Sequence, residues 1–66
     1  MEFLEKARIR LEHWLDHNEH HHEDYEAFAV ELEGEGHTES AEYIREMATL
    51  TSRSSECLRK ALGALK

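Results

Sequence analysis

The sequence predicts an all-α protein, a long antiparallel helical hairpin that pairs with a second copy into a homodimeric four-helix bundle. Three observations carry this expectation. Apolar residues recur at steps of three and four, the period of one helix face, on both sides of a single break. The 66-residue chain has no proline, and two of its three glycines, Gly34 and Gly36, sit together near the middle. Strand signals are missing, since β-branched residues are few and no polar–apolar alternation persists.

The first helix is expected over residues 2–33, on Leu4, Ala7, Leu11, Trp14, Leu15, Tyr25, Phe28, Ala29 and Leu32. Asp16 followed by Glu19 fits a capping box. That opens an alternative, a three-helix bundle with a break near 16–19. The phase of the pattern argues against it, because Leu4, Leu11, Asn18 and Tyr25 stay seven residues apart across the segment. Residues 34–37 form the turn, with Gly36 suited to the left-handed position that ends many helices. The second helix is expected over 38–65, capped by Thr38 or Ser40 and facing its partner with Ala41, Ile44, Ala48, Thr51, Ser55, Leu58, Leu62 and Leu65. Residues 1–66 thus read as one domain.

A chain of 7.8 kDa buries too little surface to be more than marginally stable alone. Small scaffolds add disulfides, a metal or a second copy, and the single Cys57 excludes an internal disulfide. Each apolar stripe is also wider than one neighbouring helix covers, which favours the bundle. The net charge of -7 speaks against a nucleic-acid partner. No apolar run approaches the roughly 20 residues of a membrane span, and the charged start Met1–Glu5 is unlike a signal peptide. A cytoplasmic protein is expected. Residues 11–37 hold nine carboxylates and no Lys or Arg, while 38–66 hold four acids and five bases. Antiparallel packing sets the basic flank of the second helix beside the acidic first, and the acidic face otherwise suits a basic protein partner.

Folding the hairpin at Gly34–Gly36 brings two polar interruptions to one height. Asn18, His21 and His22 interrupt the first stripe, and Thr51, Ser54 and Ser55 the second. Buried polar groups cost free energy unless partnered, so this waist is a candidate site. One of His21 and His22 is expected to join Asn18 there and bond a Thr51 or Ser54 hydroxyl. Trp14 is expected as a core anchor opposite Ser54 and Ser55, Tyr25 as a core residue whose hydroxyl reaches the waist, and Cys57 as a buried, inert thiol.

Tyr25-x-x-Phe28-Ala29, Glu35-Gly36, Ala41, Ile44, Glu46 and Ala48 resemble, in order and spacing, the first hairpin of ferritin-like, rubrerythrin-type bundles. That resemblance implies the hairpin and its pairing. The family's carboxylate seven residues before the tyrosine is here Asn18, and its Glu-x-x-His on the second helix is replaced by Thr51 and Ser54. The resemblance therefore implies no di-iron chemistry. His13-Trp14, His17-Asn18 and Tyr25 are also similar to short His-rich helical domains found beside metal-handling proteins.

Five of the six histidines lie between positions 13 and 22. His13, His17 and His21 share a helix face at steps of four, a spacing at which two imidazoles chelate one divalent ion. His22 and Asp24 are the candidate supplementary ligands, and imidazole suits zinc or nickel. No nucleophile elbow or phosphate loop accompanies the serines. The sequence thus reads as a small non-catalytic helical protein, a metal-binding accessory protein built on clustered histidines. The alternative is a homodimeric interaction or assembly module with a structural polar layer (Asn18, His21, His22, Thr51, Ser54, Ser55) and no metal.

Overall fold

A computed structural model describes residues 2–65, so Met1 and Lys66 lie outside the described structure. Two helices, α1 over Phe3–Gly34 and α2 over Thr38–Ala64, account for nearly all of it, and the described residues contain no strand. They pack as a hairpin with a body 51 × 17 × 10 Å across. α1 passes through Asp16–Glu19 without a break, which decides for two helices over three. The helix ends fall within one residue of those expected.

The turn closes on α1 as a Schellman motif. The N–H of His37 donates to the Leu32 carbonyl at 2.8 Å and that of Gly36 to Glu33 at 3.0 Å. Gly36 takes φ 85°, a conformation that side-chain-bearing residues rarely adopt. The chain re-enters a helix at once, so Thr38 is already helical and His37 occupies the N-cap position. No side chain caps α2 there, contrary to the cap expected from Thr38 or Ser40.

The helices meet along rows spaced by seven. α1 contributes Leu4, Leu11, Asn18, Tyr25 and Leu32 with Leu15, His22 and Ala29. α2 contributes Ala41, Ala48, Ser55 and Leu62 with Ile44, Thr51, Leu58 and Leu65, and every one of these is buried or half-buried. The most buried are all small: Ala29 and Ala41 at 0% exposure, Ala48 at 1% and Ser55 at 5%. Small side chains let the helix backbones approach closely, and large ones are left at the margins of the seam. Among the described residues no large side chain is fully buried.

Along one edge Arg45 pairs with Glu33 and Arg59 with Glu19, both at 3.1 Å. These pairs are exposed, so they orient the helices more than they stabilise them. Two expectations fail here. Trp14 is 50% exposed, because it stands one row outside the seam, in a surface groove with Phe3, Lys6, Ala7, Arg10 and Leu11. Cys57 is exposed for the same reason on α2.

Gly36→Ala is expected to cost about 1–2 kcal/mol through the left-handed backbone it forces on alanine. Gly34→Ala meets no atom within 4 Å and is expected to stabilise by about 0.5–1 kcal/mol as a helical glycine replaced. Urea unfolding of the two variants measures both.

Candidate functional site

One cross-helix bond marks the expected waist, and neither histidine takes part in it. Asn18 Nδ2 donates to Ser54 Oγ at 3.1 Å, joining the helices at mid-height. Thr51 Oγ1 donates to the Met47 carbonyl of its own helix at 3.0 Å, which accounts for its donor within the seam. Neither His21 nor His22 bonds a waist hydroxyl. His22 is half-buried on the acidic edge, its Nε2 3.3 Å from Glu26 Oε1. Ser55 lies buried in the seam, below that edge. No described buried side-chain nitrogen or oxygen lacks a hydrogen-bond partner.

The rows flanking the seam differ sharply in chemistry. The edge holding Glu19–Arg59 and Glu33–Arg45 carries the row Glu5, Glu12, Glu19, Glu26, Glu33. On the opposite edge, where Asn18 reaches Ser54, α1 presents Ala7, Trp14, His21 and Phe28. α2 presents Ser40, Met47, Ser54 and Ala61 there, followed by Tyr43, Leu50, Cys57 and Ala64. None of these twelve residues is charged. Phe28 is 51% exposed, Leu50 54% and Tyr43 64%. Combined with the seam, the open rows give α1 the unbroken alternation Leu4, Ala7, Leu11, Trp14, Asn18, His21, Tyr25, Phe28, Leu32. α2 matches it with Ser40, Ile44, Met47, Thr51, Ser54, Leu58, Ala61, Leu65. Strict three–four alternation is the seam pattern of supercoiled bundles. The seven-residue spacing of Trp14, His21 and Phe28 was the signal for this face in the sequence.

The histidines form a ladder up the outer side of α1. The rings of His13 and His17 lie 4.3 Å apart between centres, those of His17 and His21 6.0 Å, and His21 stacks on Tyr25 at 5.9 Å with 12° between planes. Tyr25 is thus a partner of the ladder as well as a seam residue. His22 and Asp24 do not join it. Among the described residues no three His, Cys, Asp or Glu side chains converge as a ready-made ligand set.

His20 stands apart. Its Nδ1–H donates to the Asp16 carbonyl at 2.9 Å, and Asp16 Oδ2 lies 3.7 Å away. The backbone bond first, and the Asp16 charge second, raise its pKa above the ordinary 6.5. A raised folded value means that the stability His20 adds is complete below the unfolded value and fades as pH rises through the folded one. Proton NMR is expected to give His20 a midpoint above 6.5. Asp16→Asn is expected to remove only the smaller share of that rise, since the carbonyl remains.

No described helix is long and apolar enough to cross a membrane. No curated protein and no solved structure matches the sequence significantly. One family model matches residues 7–65, taking in nearly all of both helices and the whole turn. The chain belongs to the family described as domain of unknown function DUF8180.

Proposed function

We propose that this protein is a non-catalytic assembly module of the cytoplasm, acting as a homodimeric four-helix bundle in which the open faces of two hairpins meet. The observation that carries the reading is that the buried core is only Ala29, Ala41 and Ala48, with no large side chain fully buried among the described residues. The hairpin exposes 5177 Å², about 800 Å² above the roughly 4,400 Å² expected of a compact monomer of this mass. That excess equals what each partner contributes to a standard stable interface, about 800 Å². The uncharged three–four stripes supply the matching surface, since facing helices bury such stripes against each other. The exposed thiol of Cys57 suits a reducing compartment.

Charge supports a second copy as the occupant and gives its orientation. Residues 18–54, the half nearer the turn, carry ten carboxylates and two arginines, while the open half carries five acids and six bases. Stacking two hairpins with their turns at opposite ends lays the basic half of each over the acidic half of the other. Complementary potentials of this kind orient association. A metal-binding accessory role is the second reading, favoured by the close contact of His13 with His17.

Thermal melts are expected to shift to higher temperature as protein concentration rises, as dimer stability requires. Phe28→Glu and Met47→Glu are expected to abolish that dependence, each removing about 1.5–3 kcal/mol of side-chain burial per chain. Melts independent of concentration in the parent protein would contradict the reading. Orientation is read by spin labels at Glu35→Cys in a Cys57→Ser background. Opposed turns place the labels about 45–50 Å apart, whereas turns at one end bring them within about 20 Å, given 1.5 Å per helical residue.

A further inference from the structure

We infer that the two copies of this bundle hold one divalent cation of the zinc or nickel class between them, with His17 and His21 of each chain as ligands. The inference rests on the homodimeric reading above. It begins with the ring geometry. Two imidazoles sharing a tetrahedral ion at about 2.0–2.1 Å per bond set their ring centres about 5 Å apart. The steps along the ladder, 4.3 Å and 6.0 Å, bracket that separation. Either neighbouring pair is therefore close to the ring separation at which two imidazoles share an ion, and His17 belongs to both pairs.

Position then selects the upper pair. His21 stands on the uncharged open face between Trp14 and Phe28, and His17 stands on the next row outward. α1 spans Phe3–Gly34, so its midpoint lies beside Asn18. Two hairpins overlapping fully with opposed turns have their two-fold axis at that height. His17 and His21 lie within about 4 Å of it along the helix, at 1.5 Å per residue. Antiparallel first helices from the two copies thus bring two chelating pairs to one point. His13 is a further turn away, toward the open end.

One chain by itself is short of donors, which agrees with the lack of any converging trio among the described residues. The two-fold supplies the missing pair and makes up the four nitrogens that a closed tetrahedral site requires. The surroundings fit that role. Tyr25 stacks on the His21 ring, and the Asn18–Ser54 bond adds a polar layer at the same level. Residues 11–37 contain nine carboxylates and no Lys or Arg, so the stretch of α1 that holds the histidines is itself negatively charged and attracts a dication. Imidazole nitrogens with no thiolate suit zinc and nickel, and a redox-inert ion needs no co-reactant.

Calorimetric titration of chelator-stripped, tag-free protein with zinc sulfate at pH 7.5 tests the site. The expected result is saturable binding of one zinc per two chains. His17→Ala and His21→Ala are each expected to weaken it by at least the 10–100-fold or so that loss of a mere outer partner costs. His20→Ala and His22→Ala are expected to leave it unchanged, with circular dichroism confirming helical content in all four. One zinc per chain, uptake without saturation, or unchanged affinity in His21→Ala would overturn the site. Light scattering of the same samples separates the two levels of the inference. A dimer in chelator that takes up no zinc removes the site and leaves the bundle, whereas a monomer both in chelator and in zinc removes the bundle beneath it.

Discussion

Close approach of the two backbones is the constraint on which everything else depends. Ala29, Ala41, Ala48 and Ser55 fill the deepest positions, and their small size is what allows the helices to pack tightly. The same choice keeps the core small, and burial stabilises in proportion to apolar area removed from water. Leu4, Leu11, Tyr25, Ile44, Leu58 and Leu62 are covered on one side only. Part of the apolar surface displaced from the seam gathers on one face, with Trp14, Phe28, Met47 and Leu50, while Ile9 and Val30 stand exposed on the acidic side of α1. A hairpin built this way leaves an apolar face uncovered, which is the basis of the proposed pairing.

The waist trades stability for definition. Asn18 and Ser54 bond across the helices where a pair of leucines would bury more surface. Polar layers fix register in coiled coils, and this one does so from the solvent-exposed margin of the seam. In this chain the bond ties mid-α1 to mid-α2, so a slip of either helix by one turn would break it. The acidic edge adds a weaker restraint through Glu19–Arg59 and Glu33–Arg45, whose spacing is correct only in the same register.

The fold was legible in the sequence because its signals were redundant. Phase continuity from Leu4 through Asn18 to Tyr25 decided two helices over three, and Gly36 marked the one left-handed residue among those described. The inward residues of α2 were readable one by one, since each row repeats every seven positions. What escaped was which side of the stripe the partner helix takes. Trp14 and Leu15 are adjacent in sequence and both apolar, but only Leu15 enters the seam. Periodicity locates a stripe and leaves its division between two neighbours open, so Trp14 and Cys57 were placed too deep. The histidines were harder still. His20, His21 and His22 are consecutive, and a 100° step sends one to a backbone carbonyl, one to the open face and one to the acidic edge.

The proposed dependence of the hairpin on a second copy underlies both the role assigned to the open face and the site inferred for the histidine ladder. Sedimentation equilibrium of the metal-free protein tests it most directly, because it reads mass with no label or substitution. At micromolar concentration the expected mass is twice the 7.8 kDa of one chain, falling toward the single-chain value only on strong dilution. A folded, helical species that stays at 7.8 kDa across the whole concentration range would contradict it.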